Sequence, residues 1–279
     1  MRVVACEAVP GARNTHSAGT PGRGVYDYHV HSNYSDGRFL GRMVRAAVDA
    51  GLEGVGFADH CNVSEREHLR RYKRRFGFNL DLTHERRREA IREYRSEHDV
   101  RVFDAVEVDY HPADEDAIAA FLDDAGFEYA VGSVHEVREA NVHRECFADL
   151  DEVEQRAAVD EYFDRLVTLV ESGLFDIVAH PDIVERNPAL RGYATEDHYR
   201  AVAAALADSD AVPEMNAGRV DREYGKFHPN PAFLSVLAEY DVPVTLGSDA
   251  HSPDALRERT PLLGERLAEA PVETVELPL

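Results

Sequence analysis

Short apolar runs alternate with longer amphipathic segments along most of the chain. Seven runs rich in Val, Phe and Tyr are predicted to be buried strands: residues 25–31, 54–60, 100–108, 129–135, 175–180, 211–216 and 242–251. Helical periodicity lies between them, at residues 38–50, 84–97, 113–125, 151–172, 196–207 and 230–240. This alternation predicts an α/β protein with a parallel sheet. Seven such strands suggest a β/α barrel, with a doubly wound open sheet as the alternative.

Residues 1–23 differ in character from the rest of the chain. They are rich in Gly, Ala, Pro, Ser and Thr and show no periodicity, which predicts a disordered N-terminal extension. No linker divides the remainder, so we predict one barrel domain over residues 24–279. No apolar stretch approaches the roughly 20 residues of a membrane span, and no secretory signal pattern is seen. With three cysteines and no CxxC pair, these features favour a cytoplasmic protein.

The chain is strongly acidic, with a formal net charge of -22. Of its 31 basic residues, only Lys73 and Lys226 are lysines. Such a surface suits a cytoplasm with very high salt, where screening removes self-repulsion, so we predict a halophilic origin. The same charge disfavours nucleic acid as a partner, because phosphate neutralisation needs clustered positive charge.

One segment, residues 61–98, differs from the rest of the chain in net charge and interrupts the alternation of apolar runs and amphipathic segments. It holds 11 Arg and Lys against 7 Asp and Glu, most densely over residues 70–75. One interpretation is a solvated helix with charges paired along its surface. The other is a cap over an anionic substrate.

Every predicted strand ends in side chains that can bind metal ions. They are, in chain order, His29, His31 and Asp36; Asp59 and His60; Glu107 and Asp109; His135; His180; Glu214 and Asn216; Asp249 and His251. The C-terminal strand ends are where β/α folds place their active sites. Residues two apart on a strand point to the same side, so His29 and His31 can bind one ion. Asp249 and His251 have the same spacing.

Mixed imidazole and carboxylate ligands suit zinc, manganese or iron, whereas oxygen ligands alone suit magnesium or calcium. The predicted set exceeds what one ion with an open position can use, which indicates a cluster of two or three divalent ions. His143 and the other histidines in polar patterns are interpreted as surface residues.

The ordered motifs identify a resemblance to a known family. DYHVHSNYSDG, FADH, VEVDY, GSVH, AHPD, EMNAG and GSDAHS resemble the PHP superfamily of polymerase and histidinol phosphatase domains, and most closely its histidinol-phosphate phosphatase branch. The resemblance covers residues 25–255. It implies a distorted seven-stranded β/α barrel with three metal ions.

The resemblance also implies a ligand set. The first ion would take His29, His31, Glu107 and Asp249; the second would share Glu107 and add His135 and His180; the third would take Asp36, His60 and His251. The segment from Asn216 to Arg222 would contact substrate, with Arg219 as the best match for the arginine that grips phosphate.

The implied reaction is hydrolysis of L-histidinol phosphate by a metal-activated hydroxide, with an arginine holding the phosphoryl oxygens. Asp59 and His228 are the candidates for the general acid. Carboxylates beside the metals would bind the amine and imidazole of the substrate, for which Glu214, Asp109 and Asp221 are candidates. Asp109 is alternatively a partner that orients a ligand histidine.

Two other functions fit the pattern less well. One is a related phosphoesterase acting on nucleotides or on the 5′ ends of short nucleic acids, which the acidic surface disfavours. The other is a non-catalytic binding module with structural metals, which the complete ligand set disfavours.

Overall fold

The structure is a computed structural model that describes residues 25–76 and 80–279. The predicted extension, residues 1–23, lies outside the described residues. Within the described part of the chain, no helix has the length and apolarity to cross a bilayer.

The described residues contain nine strands, of which seven fall where the apolar runs predict them and two short ones were not predicted. They are β1 Tyr26–Val30, β2 Gly54–Cys61, β3 Arg101–Asp109, β4 Tyr129–Ser133, β5 Glu136–Val137, β6 Ala140–Asn141, β7 Ile177–Val178, β8 Val212–Asn216 and β9 Thr245–Gly247. Seven of them form one sheet in the order β1-β2-β3-β4-β7-β8-β9, with every pairing parallel. The remaining two, β5 and β6, form a small antiparallel hairpin.

The first and last strands of the sheet meet and bring it nearly to closure. The backbone N–H of His31 donates to the carbonyl of Ala250 at 3.0 Å, and that of Asp249 donates to the carbonyl of His29 at 2.8 Å. The predicted seven-stranded β/α barrel is therefore confirmed, and the open-sheet alternative is wrong.

Helices surround the barrel and cover the sheet. Their bounds are α1 Leu40–Asp49, α2 Glu67–Phe76, α3 His84–Glu97, α4 Glu115–Ala125, α5 Glu152–Glu171, α6 Glu196–Ala207, α7 Pro231–Glu239 and α8 Pro253–Glu269. Each helix predicted from periodicity is present. The helix α2 lies in the basic segment, and α8 was not predicted.

Two strands show why the site forms at one end of the barrel. On β3, Phe103, Ala105 and Glu107 lie on one face because side chains alternate, and on β2 Ala58 and His60 do the same. The earlier residues of each series pack in an apolar cluster, whereas the last residue of each is polar. The barrel interior is therefore apolar along the earlier part of these strands and carries metal-binding side chains at their C-terminal ends.

Candidate metal centre and active site

Glu107 lies at the middle of the predicted ligand residues and is 1% exposed. Its carboxylate oxygens approach His60 Nδ1 at 2.7 Å, His180 Nε2 at 3.2 Å, His29 Nε2 at 3.4 Å and His135 Nε2 at 3.6 Å. Because β3 lies between β2 and β4 in the sheet, its last inward side chain reaches the predicted ligands carried by strands on both sides.

Carboxylates behind the cluster fix the orientation of two imidazoles. His29 Nδ1 donates to Glu214 at 2.9 Å, and His135 Nδ1 donates to Asp109 at 2.5 Å. In each ring this leaves Nε2, the nitrogen that faces Glu107, available to bind a cation. Carboxylate–histidine pairs of this kind orient ligand imidazoles in metal sites. Asp109 therefore occupies the position expected of an orienting partner.

The described residues contain three groups whose ligand atoms all lie within 4.8 Å of one another. The groups are His31, Asp36, His60 and His251; His29, His31 and Asp249; and His60, Glu107 and His135. His31 and His60 each belong to two groups, so the groups form one continuous cluster. His180 contacts Glu107 but completes none of these three groups.

The imidazoles of the cluster differ in protonation. Burial, reinforced by His251 and His60, lowers the pKa of His31 to about 4, so its imidazole is neutral at pH 7. Burial acts to raise the pKa of Glu107, but the adjacent His60 and His29 outweigh it and hold that pKa well below its usual value. Burial acts to lower the pKa of His60, yet Glu107 raises it to about 10. A cation bound at His60 must therefore displace a proton.

Two predicted ligands are held in unusual backbone conformations. His180 has a φ of 26° and Asp249 a φ of 50°, a region that non-glycine residues rarely adopt. Such strain persists where the surrounding structure imposes it, and it concentrates at functional sites. The chain thus keeps two strand-end side chains aimed at the cluster against a local conformational cost.

Together these residues fit a cluster of transition-metal ions. The imidazoles and carboxylates form the mixed nitrogen and oxygen ligand set that zinc, manganese and iron accept. His180 Nδ1 is buried without a hydrogen-bond partner among the described residues, which shows that hydrogen bonding within the protein does not satisfy every polar atom of the cluster.

The cluster opens into a cavity of about 660 Å³. Five arginines line it, and two of them stand out: Arg186, whose side chain is only 7% exposed, and Arg219, which is exposed. Arg219 was predicted as a phosphate ligand, whereas Arg186 was missed because no motif marks it. His143 is exposed, as predicted, and it also lines the cavity.

The helix α2 forms one wall of the cavity, through Leu69, Tyr72 and Lys73. Two of the arginines in this segment, Arg70 and Arg74, are instead exposed and pair with nearby glutamates. The two interpretations of the basic segment therefore both describe part of it: one face borders the site and the other is a solvated, charge-paired surface.

The first of the two candidate acids, Asp59, does not face the cavity. Its carboxylate is completely buried and accepts hydrogen bonds from Ser32 N at 2.6 Å, Ser35 Oγ at 2.7 Å and Arg87 Nη1 at 2.8 Å. Burial acts to raise the pKa of Asp59, but Arg87 outweighs it and lowers that pKa. An ionised carboxylate with these partners anchors the loop that carries Asp36, and we do not assign it the role of acid.

The second candidate acid, His228, is also completely buried. Its Nδ1 lies 2.5 Å from Asp182 Oδ1, and its Nε2 accepts from Arg186 Nε at 2.8 Å. Both ring nitrogens are engaged within the protein, so this geometry gives His228 no proton to deliver to a leaving group.

Three residues predicted to contact substrate lie one layer behind the cavity wall. Glu214 is buried against His29, and Asn216 is buried against Arg186, to whose guanidinium its Oδ1 offers a 3.1 Å acceptor. The carboxylate of Asp221 is occupied by Arg259 at 2.7 Å. These side chains orient others rather than meeting a ligand. A position at a strand end predicts that a residue belongs to the site. It does not predict whether the side chain lines the cavity or lies behind the cavity wall.

A β/α barrel whose strand ends converge on clustered imidazoles and carboxylates defines the class of metal-binding barrel proteins. Within that class, the chain belongs to the PHP domain family, whose model matches residues 27–217. The resemblance seen in the motifs is thereby confirmed.

Similar proteins share both sequence and fold with this chain. It is 28% identical over 239 residues to the probable histidinol-phosphatase of Deinococcus radiodurans, covering 82% of this chain and 87% of that protein. The histidinol phosphate phosphatase of Lactococcus lactis, solved with zinc, L-histidinol and phosphate, has a TM-score of 0.64 at 19% identity, covering 86% of this chain and 93% of that one. A putative histidinol phosphatase of Listeria monocytogenes has a TM-score of 0.68 at 18% identity, covering 82% and 96%.

Proposed function

We propose that this protein is a metal-dependent phosphomonoesterase that hydrolyses L-histidinol phosphate to L-histidinol and phosphate, as a step of histidine biosynthesis in the cytoplasm. The observation that carries the proposal is one cavity that brings a His and carboxylate cluster together with Arg186 and Arg219. The likeness to the Deinococcus relative supports the choice of substrate.

The ligand assignment that we propose adapts the three groups of side chains and adds His180, which contacts Glu107 at 3.2 Å. His29, His31 and Asp249 would hold one ion; Glu107, His135 and His180 would hold the second; and Asp36, His60 and His251 would hold the third. Glu107 and His60 lie between sites, since His60 Nδ1 is 2.7 Å from Glu107 and His60 Nε2 is 3.8 Å from Asp36. Divalent ions, when bound there, would supply Lewis acidity at the phosphoryl group and an activated water. Zinc in the Lactococcus structure supports that metal.

The two arginines bind the phosphoryl oxygens. A guanidinium offers a planar fork of donors that matches phosphate geometry, and Arg186 presents it from a nearly buried position. Because the surroundings of Arg186 exclude much of the water, its hydrogen bonds to an anion are stronger than those of a surface arginine. Arg219, which is more exposed, closes over the same group.

The leaving alcohol lies against α2 and the mouth of the cavity. L-histidinol carries an ammonium and an imidazole, which need acceptors and an aromatic or apolar wall. Glu136 lines the cavity and provides a carboxylate, and Tyr72 provides an aromatic ring. These side chains replace Glu214 and Asp221 as the proposed contacts for the cationic part of the substrate.

The test is a comparison of substrates. We expect kcat/KM for L-histidinol phosphate to exceed that for a nucleoside monophosphate and for a short 5′-phosphorylated oligonucleotide by at least about 10²-fold, because a site built for particular polar groups rejects analogues that lack them. A Glu136→Gln variant should lose more kcat/KM on L-histidinol phosphate than on p-nitrophenyl phosphate. Equal or better turnover of either nucleotide substrate would contradict the substrate assignment and leave the metal chemistry standing.

A further inference from the structure

Arg186 is held in the cavity wall chiefly by His228 and Asn216, two side chains that do not line the cavity. It ends the short 3-10 helix Ile183–Arg186, which follows β7. Its Nε donates to His228 Nε2 at 2.8 Å, and its Nη2 donates to Asn216 Oδ1 at 3.1 Å. Asp249 Oδ2 lies 3.5 Å from the same Nη2. One edge of the guanidinium is thus fixed within the protein.

The contact between Arg186 and His228 determines the protonation of the imidazole. An arginine has no acceptor, so Nε2 of His228 must be the unprotonated nitrogen. The proton of the neutral ring is then on Nδ1, where it donates to Asp182 Oδ1 at 2.5 Å. Burial and the neighbouring Arg186 both favour this neutral form and lower the pKa of His228, against the pull of Asp182.

Asp182 is itself fixed by the start of α7. Its Oδ2 accepts from Asn230 N at 2.8 Å and from Asn230 Nδ2 at 2.9 Å. Asn230 also caps α7, accepting from Ala232 N at 2.9 Å. On the other side, the ring of Tyr224 stacks on His228 with centroids 5.0 Å apart. Both Asp182 and His228 are completely buried, so the series of hydrogen-bonded side chains from Asn230 to Arg186 has little conformational freedom.

We propose that Asp182 and His228 are positioning residues that set the orientation of Arg186 toward the phosphoryl group of the substrate. The inference rests on the proposed function in one respect, that phosphate binds in the cavity. It gives a role to two residues that the mechanism otherwise leaves unused, Asp182 of the AHPD motif and His228, a predicted candidate for the general acid.

The physical gain is preorganisation. A free arginine loses considerable rotamer entropy when it binds an anion, whereas a guanidinium already fixed by packing and hydrogen bonds does not. Disrupting the His228 contact should therefore weaken phosphate binding by about tenfold, roughly the effect of one charge-assisted hydrogen bond.

The experiment is a double-mutant cycle read by titration of inorganic phosphate into the metal-loaded protein. His228→Leu and His228→Gln form a matched pair, since both side chains are uncharged and of comparable size but only Gln offers Arg186 an acceptor. We expect His228→Leu to weaken phosphate binding about tenfold and His228→Gln by less than about threefold. In an Arg186→Ala background, His228→Leu should weaken phosphate binding by less than a further twofold or so.

An equal loss in both backgrounds, or no loss for His228→Leu at all, would overturn the proposal. A purely structural role predicts a lower melting temperature with unchanged phosphate affinity, which separates the two. The control is Tyr199→Phe, which removes a hydroxyl 2.8 Å from Asn230 Nδ2 without touching the contact to Arg186, and it should bind phosphate normally.

A second measurement applies even if the leucine variant does not fold. Nitrogen-15 NMR of the wild-type zinc-loaded protein should show His228 with a proton on Nδ1 and none on Nε2; a protonated Nε2 would overturn the geometry. Because phosphate titration involves no substrate, the positioning role can hold where hydrolysis of L-histidinol phosphate is absent. The proposed function can equally hold where the cycle shows no coupling.

Discussion

The buried ion pairs of Arg87 give the sharpest stability prediction. Arg87 lies on α3 with none of its side chain exposed, and its guanidinium contacts Asp59 at 2.8 Å and Asp104 at 2.7 Å. Arg87→Met keeps an unbranched apolar side chain that can follow the path of the arginine methylenes, but it removes the charge. Both carboxylates then remain buried without this counter-ion.

The expected cost follows from the loss of one partner in a buried network. Breaking a buried pair costs about 3–5 kcal/mol because it leaves an uncompensated charge. For a domain of this size, each kcal/mol corresponds to roughly 2–4 °C in melting temperature, so the melt should fall by about 6–20 °C. Because Asp59 holds Ser32 and Ser35 beside the ligand Asp36, Arg87→Met should also retain less metal.

The assay is urea unfolding at pH 7, with Arg88→Met as the matched control. Arg88 is the next residue of α3 and contacts the same Asp104 at 2.6 Å, but 23% of its side chain is exposed. A partly exposed pair contributes about 1 kcal/mol or less, so the control should change little. If Arg87→Met lost under 1 kcal/mol, or no more than the control, the reasoning about this network would be refuted.

Three further predictions concern the site, the pH and the salt. Glu107→Ala and His31→Ala should each reduce hydrolysis by at least about 10³-fold, while the exposed His68→Ala stays near wild type; a tenth of normal turnover in either ligand variant would contradict the site. Since Arg87 lowers the pKa of Asp59, the stabilisation that ionised Asp59 gives the wild type should be full above pH 3.8 and be lost as the pH falls below it, measured as the unfolding free energy against pH; a wild-type advantage over Arg87→Met unchanged well below that pH would show that the pair does not titrate as described. With a net charge of -22, the protein should melt at a higher temperature in molar KCl than in dilute buffer, and no difference would argue against a halophilic origin.

Much of the fold could be predicted because its strands are buried on both faces. Runs such as residues 54–58 read as continuous apolar segments, and the alternation of strands with amphipathic helices leaves few architectures. The helix α8 was missed because Pro261 lies inside it, and proline removes a backbone donor and opposes helix continuation. Packing compensates, since Leu256, Thr260 and Leu263 of α8 are buried. That compensation is tertiary and leaves no local signal.

The polar residues of the site could be predicted by position but not by depth. Glu214 and Asn216 end a strand as His29 does, yet they lie behind the ligands because the neighbouring strands bring other side chains in front of them. Arg186 had no motif to mark it, and its role emerges only from its burial beside the cavity. In the AHPD run, Asp182 contacts His228, which lies 46 residues further along the chain. No local pattern marks that pairing.

The most direct test of the account is the release of inorganic phosphate from L-histidinol phosphate by one preparation before chelation, after removal of its metals, and after their return as Zn²⁺ or Mn²⁺. The account predicts turnover in the first state, loss by at least about 10³-fold in the second, and recovery in the third. Hydrolysis that persists in the chelated protein, or no hydrolysis in any state by a folded protein with its metals bound, would contradict it.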